Sequence, residues 1–365
     1  MYFIVMIYIF IVSCLVTIVQ NLGQPITIKM GYLKKSVTVN ILLTIILMFP
    51  LVMLATLRST VVGSDTADVY EGIYYMGYAV YEWPVTIYEG LFIQFVKIVH
   101  ALVPEFRAFL MASSIIISGI FTYRFVAVRK QMSLPIAMLG FFIFLFCPFL
   151  NGLRQLLAVS VCFYGLYKLE NEKPGVTALI YIVASFIHIT ALIMFITFIP
   201  YYAKEHKRAR NKVLILFCAG PIIIELLLKF FMRIPFLDKF AEQIGAFSVS
   251  SVNIKFLLFP LLVLPLIALY AKKLLQLNTF NFIHLCSYIT VFSSIFLSGH
   301  LWFAFRLMYY FLPGLIILLA QIAYDKSKKI NFITYNCYII FSMLITFWIV
   351  YIVRETDGIY PYVFL

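Results

Sequence analysis

Residues 38–70 read TVNILLTIILMFPLVMLATLRSTVVGSDTADVY, and the change of character at Arg58 decides how the chain must fold. Up to Leu57 the stretch is an apolar run of about 20 residues, the length that crosses a bilayer as one helix. From Arg58 it turns polar. Arg58, Asp65, Asp68, Glu71, Glu82 and Glu89 are spread through a run of tyrosines that includes Tyr70, Tyr74, Tyr75, Tyr78, Tyr81 and Tyr88. Charge beside lipid is costly and is kept where it has a task, so a functional site is sought in this insert.

The rest of the chain repeats the apolar half of that pattern. Of 365 residues, 64% are hydrophobic and 12% charged, more apolar surface than a soluble domain can hide. The apolar runs are continuous rather than alternating ten-residue pieces, so they are helices and not barrel strands. The expected fold is an all-α polytopic integral membrane protein, one transmembrane domain over 1–365 with an extracytoplasmic insert at 58–106. The first apolar segment lacks a small-residue cleavage site and is expected to be a retained span. The net charge of +13 reflects Lys and Arg collected in cytoplasmic loops rather than a nucleic-acid-binding face. Cys14, Cys147, Cys162, Cys218, Cys286 and Cys337 lie singly within apolar runs, which argues against a disulfide framework and against a zinc site.

The distribution of basic residues sets an expected topology. Lys29, Lys34 and Lys35 place the first loop inside and the N-terminus outside, so the next span delivers Arg58 to the outer face. Within an expected outer-leaflet helix near 84–103, Leu91–Val103 is too short to cross and is interrupted by Lys97 and His100. The third span ends in Arg124, Arg129 and Lys130; the fourth brings Asn151–Gln155 outside; the fifth returns to Lys168 and Lys173. A plain crossing by residues 176–200 would leave the basic stretch Lys204–Lys212 outside. That run is therefore expected to be re-entrant, two half-helices turning near His188. Spans near 211–231, 253–271, 279–298, 303–323 and 332–353 complete about ten full crossings. No inverted repeat of broken helices is visible, which argues against a secondary transporter.

This topology gathers Arg58, Asp65, Arg154, His188, Arg306 and Arg354 at the outer boundary. Guanidinium groups suit an anionic ligand such as phosphate, which they bind in a two-pronged geometry, and tyrosine faces suit sugar rings. Duller readings stand beside these. Arg58 and Arg154 also fit snorkelling anchors at span ends, and Ser64 with Asp65 fits a helix cap. His188 fits a packing histidine bonded to Thr190, and His284 and His300 fit structural roles. Asp65 and Asp68 make a poor metal site without a third carboxylate.

Several pieces, in this order and spacing, carry a family resemblance: Arg58 with Gly63-Ser64-Asp65 and Tyr70; Tyr88-Glu89-Gly90-Leu91-Phe92; Leu153-Arg154-Gln155-Leu156-Leu157-Ala158; Ile187-His188-Ile189-Thr190-Ala191-Leu192; Phe305-Arg306 with Tyr309-Tyr310-Phe311; and Tyr360-Pro361-Tyr362-Val363-Phe364. In them the chain resembles the EpsG family of exopolysaccharide and O-antigen repeat-unit polymerases of the Wzy type. It departs at Gly90, where the family usually has proline, and at Thr190, where a smaller residue is usual. The resemblance implies a glycosyltransferase of the bacterial cytoplasmic membrane with its active site facing outward. It would join undecaprenyl-pyrophosphate-linked oligosaccharide units into O-antigen, capsule or exopolysaccharide, without cofactor or metal. Its partners would be that glycolipid, membrane lipid and a chain-length regulator protein, with no nucleic acid. The implied roles are Arg58, Arg154 and Arg306 on pyrophosphate, with Arg58 and Asp65 as an organising pair. Asp65, Glu89 and His188 are the candidate bases, and Tyr70, Gln155 and Tyr309 contact sugar. The rival readings are a lipid-phosphosugar-dependent single-sugar glycosyltransferase and a flippase of lipid-linked oligosaccharide.

Overall fold

A computed structural model of the chain describes residues 1–21, 35–76, 89–204, 206–231, 254–276, 279–297, 304–324 and 329–364. Tyr78, Tyr81, Glu82, Tyr88, His300, Lys29 and Lys34, all named above, lie outside the described residues. Inside a bilayer, backbone N–H and C=O groups must be satisfied within the segment, and the chain does so with helices. Among the described residues the one extended pairing is an isolated antiparallel bridge between Arg58 and Phe364. The protein is an all-α polytopic membrane protein. Helices at Tyr2–Val19, Val39–Thr56, Phe106–Val128, Phe305–Tyr324 and Ile333–Val353 are long and apolar enough to cross a membrane, and shorter apolar helices stand between them.

The chain forms two compact units. The first comprises residues 1–192 and 319–365. It begins with α1 (Tyr2–Asn21) and α2 (Lys35–Thr56). A π-helical turn over Thr66–Glu71 then runs into α3 (Gly72–Met76). Next come α4 (Gly90–Leu102), α5 (Phe106–Val128) and α6 (Leu134–Phe141). A second π turn over Phe142–Phe146 continues into α7 (Cys147–Phe149), and α8 (Leu153–Glu170) and α9 (Pro174–Ser185) follow. Phe121 of α5 is stacked between Phe141 of α6 and Phe163 of α8, with ring centroids 4.7 and 4.6 Å away. Such offset aromatic pairs contribute roughly 0.5–1.5 kcal/mol beyond their buried area. On its other positions α5 buries Ser113, Ser114, Ser118 and Thr122, small side chains that let helices approach closely in a membrane.

Two sequence expectations meet the structure in this unit. The outer-leaflet helix expected near 84–103 is a helix over Gly90–Leu102; residues 84–88 are outside the described residues. It buries Phe92 and Val96 and leaves Leu91, Ile98 and Leu102 exposed, one apolar face in and one out. The turn expected near His188 coincides with a break in helical regularity. After α9 the chain caps at Phe186, becomes a 3-10 helix over Ile189–Thr197, and resumes as α10 (Phe198–Ala203).

The second unit covers residues 193–318. It holds α10, α11 (Lys207–Phe231), α12 (Ile254–Gln276), α13 (Thr279–Leu297) and the first part of α14 (Ala304–Tyr324). Ala203, Val213, Phe217, Phe282 and Cys286 form its core cluster. Gly314 of α14 lies against Ser287 and His284 of α13, so close that a Cβ there would sit 2.6 Å from Ser287. The chain returns to the first unit through the end of α14 and through α15 (Lys329–Phe347), which a π turn extends to Val353.

Candidate active site

Four separated pieces of the first unit meet around Glu89. Glu89 is the residue before α4, with φ −124° and ψ 33°, and is only 2% exposed. The start of α4 is fixed to the end of α9 by the backbone: the Leu91 N–H donates to the Phe186 carbonyl at 3.1 Å. That contact brings His188, two residues past Phe186, to Glu89. The His188 Nδ1 lies 2.7 Å from Glu89 Oε1. The other carboxylate oxygen, Oε2, forms an ion pair with Nη1 of Arg154 at the start of α8. Arg154 also lies over the Phe92 ring, 5.9 Å from its centroid, and its backbone N–H donates to the Tyr70 hydroxyl at 3.3 Å. A carboxylate this buried is tolerated because both of its oxygens are engaged by partners that carry or accept positive charge.

Exposure divides the cluster by role. Glu89 is sealed in, whereas the Arg154 side chain is 24% exposed and that of His188 is 15% exposed. Arg154 and His188 therefore present the reachable groups, and Glu89 lies behind them and orients both. A histidine whose Nδ1 is held by a carboxylate has its tautomer fixed, which leaves Nε2 as the position that can take a proton. Gln155 and Tyr70 are buried beside these residues, at 6% for each.

The turn that carries Arg154 is anchored by the loop after α2. Arg58 is 0% exposed, and its Nη1 donates to the Leu150 carbonyl. The Thr66 hydroxyl reaches the same carbonyl at 3.1 Å. Gly63, at φ +90°, also packs against it; a Cβ there would lie 2.3 Å from that oxygen, so only glycine fits. One residue on, Asn151 Oδ1 accepts from the Ser64 hydroxyl at 3.1 Å and from the Asp65 N–H at 2.8 Å. Burial lowers the Arg58 guanidinium to about 10, with Tyr2, Tyr362 and Tyr70 opposing the shift, so it remains a cation near neutrality. Burial pushes the Tyr362 phenol up to about 12, against the pull of Arg58, so it remains a neutral donor.

The expected site residues are thus sorted. Glu89, Arg154, His188 and Tyr70 come together, with Gln155 buried next to Arg154. Arg58, expected on pyrophosphate, is a fully buried tie between two loops. Arg58 and Asp65 meet the Leu150–Asn151 turn separately, Arg58 at the Leu150 carbonyl and Asp65 through its N–H at Asn151 Oδ1, and among the described residues no ion pair joins the two. Asp65 is half-buried, precedes the π turn and makes no side-chain cap, so its capping reading is not met either. Arg306 and Tyr309 belong to α14 in the second unit, Arg306 on an exposed position and Tyr309 buried with its ring 6.0 Å from that of Phe305. Among the described residues no three His, Cys, Asp or Glu side chains gather as metal ligands. The sequence places Asn151 on the same turn as Arg154, three residues before it, but gives this neutral residue no role.

The sequence profile of the EpsG family matches residues 41–364, which takes in every element described for the site. No curated protein and no solved structure matches the chain.

Proposed function

The chain belongs to the EpsG family, and from that premise we propose that it is a polymerase of lipid-linked oligosaccharide units. A growing glycan on undecaprenyl pyrophosphate is transferred to the non-reducing end of a second lipid-linked unit at the outer face of the cytoplasmic membrane. The product is O-antigen, capsule or exopolysaccharide. The observation that carries this reading is the cluster in which buried Glu89 engages both His188 and Arg154, within the span of the family match.

The chemistry needs a base for the acceptor hydroxyl and positive charge for the leaving group. His188 Nε2 accepts the hydroxyl proton while Nδ1–H donates to Glu89. The acceptor oxygen bonds to the anomeric carbon as the carbon–oxygen bond to pyrophosphate breaks, and the electron pair leaves with undecaprenyl pyrophosphate. The Arg154 guanidinium meets that growing negative charge and stabilises it electrostatically. General base catalysis contributes about 10²- to 10⁴-fold, so His188→Ala is expected to lower the rate by at least about a hundredfold.

The test begins with deletion of the gene in its own host and a ladder gel of the surface glycans. Collapse to a single repeat unit supports the polymerase. An intact ladder with one sugar missing means a single-sugar transferase, and loss of all external glycan with lipid-linked units trapped inside means a flippase. Complementation with Arg154→Ala or Arg154→Lys is expected to leave only single units at normal protein levels, since lysine lacks the planar fork. Long chains from both variants would remove Arg154 from the site.

A further inference from the structure

The segment that follows the last membrane helix is bound along the loop that anchors the candidate site. Ser59 N–H donates to the Val363 carbonyl at 2.8 Å, and Gly63 N–H to the Gly358 carbonyl at 2.9 Å. Residues Arg58 and Phe364 pair as an antiparallel bridge. The Tyr362 hydroxyl donates to the Leu54 carbonyl at the end of α2 at 2.7 Å, and the Tyr2 hydroxyl donates to the Ile359 carbonyl at 2.6 Å. The Tyr2 and Tyr362 rings meet edge to face at 5.4 Å. These contacts close over Arg58, whose Nε and Nη2 are buried with no hydrogen-bond partner.

A wholly buried cation with two unsatisfied donors is costly for stability, and a hydrophobic residue would serve a purely structural loop better. What Arg58 supplies that an apolar side chain cannot is a directed bond to the Leu150 carbonyl, four residues before Arg154. We propose that residues 358–364 and Arg58 form a clamp that positions the Leu150–Arg154 turn, so that this segment is part of the catalytic apparatus without touching substrate. Arg58 and Tyr362 are positioning residues. The inference rests on the polymerase reading for its effect on rate, but not for its effect on structure.

The experiment uses the full chain in membranes, with exposed Cys218 and Cys337 replaced by serine. Val62, 0% exposed within the clamped loop, is changed to cysteine and probed with a membrane-impermeant maleimide. Val62→Cys is expected to resist labelling, and to be labelled once Tyr362→Ala is added. Continued protection would overturn the clamp whatever the enzyme does. In parallel, Ser59→Cys with Val363→Cys is oxidised to bridge the segment to the loop. Misplacing a catalytic group by about 1 Å costs up to about a hundredfold, so Tyr362→Ala is expected to slow polymerisation about tenfold or more. The bridge is expected to restore that rate, and dithiothreitol to abolish the restoration. A bridged protein that is inactive until reduced would overturn the proposal, because the segment would then have to lift during turnover. If the wild-type chain polymerises nothing, the functional reading fails while the labelling result still decides the clamp.

Discussion

Glu89 shows why the candidate site is hard to assemble from sequence and easy to test. Glu89, Arg154 and His188 each stand out as charged or titratable groups in an apolar chain. Their meeting depends on contacts between residues as much as 99 apart in sequence, which no spacing rule predicts. Once they meet, the charge on Glu89 has two partners to hold. Glu89→Gln keeps the shape but not the charge, so Arg154 and His188 lose their common anchor. Polymerisation of lipid-linked units by the purified variant is expected to fall by about a hundredfold, the scale of a disabled general base. Its thermal unfolding should stay near wild type, because Arg154 is partly exposed and can rehydrate. Gly63 behaves oppositely. At φ +90° with the Leu150 oxygen 2.3 Å from a would-be Cβ, Gly63→Ala combines backbone strain and a clash. Such strain costs about 1–3 kcal/mol for the backbone alone, so this variant should unfold at lower temperature and lose activity with it.

Helices α8 and α9 place the two reachable site residues, Arg154 at the start of one and His188 just past the end of the other. Their close approach depends on Gly165, where a Cβ would lie 2.7 Å from the Tyr181 ring, and the Thr177 hydroxyl donates across to the Gly165 carbonyl at 3.1 Å. Gly165→Leu should push α9 away and move His188 from Glu89, with loss of long glycan chains although no site residue is changed. At the far end of α8, Glu170 pairs with Arg124 of α5; their side chains are 3% and 4% exposed, and the guanidinium also lies 4.4 Å from the Tyr167 ring centroid. Breaking such a buried pair from one side costs about 3–5 kcal/mol, whereas replacing both partners with apolar residues is often neutral. Arg124→Leu alone is therefore expected to lower the unfolding temperature in detergent, and Arg124→Leu with Glu170→Leu to recover most of it. The helices themselves were legible from apolar run length, whereas the break near His188 was legible only from the placement of basic residues around it. The pairing of Arg124 with Glu170 was not, because Arg124 read as one more cytoplasmic-end basic residue.

The net charge of +13 is spread unevenly, and that asymmetry is the argument for which face carries the site. Composition made the membrane character legible, and the continuous apolar runs made it all-helical, since the alternative in lipid, a closed barrel, needs alternating strands. Sidedness comes from a weaker force, the preference of Lys and Arg for the cytoplasm, and it is strained at one place. Residues 176–200 must return to the side they left if both the Lys168–Lys173 region and the Lys204–Lys212 stretch are inside, and the loss of α-helical regularity between Ser185 and Ile189 is where a reversal would occur. The proposal therefore fixes three sides at once. Single cysteines replacing Ser64, Thr190 and Lys207 should be probed in intact cells with an impermeant maleimide. Ser64→Cys and Thr190→Cys are expected to react from outside, and Lys207→Cys only after permeabilisation. If Lys207→Cys also reacts from outside, the run 176–200 is a plain crossing and the basic stretch violates the charge rule. If Ser64→Cys is the protected one, the candidate site faces the cytoplasm, and a polymerase using units already carried to the outer leaflet could not work there.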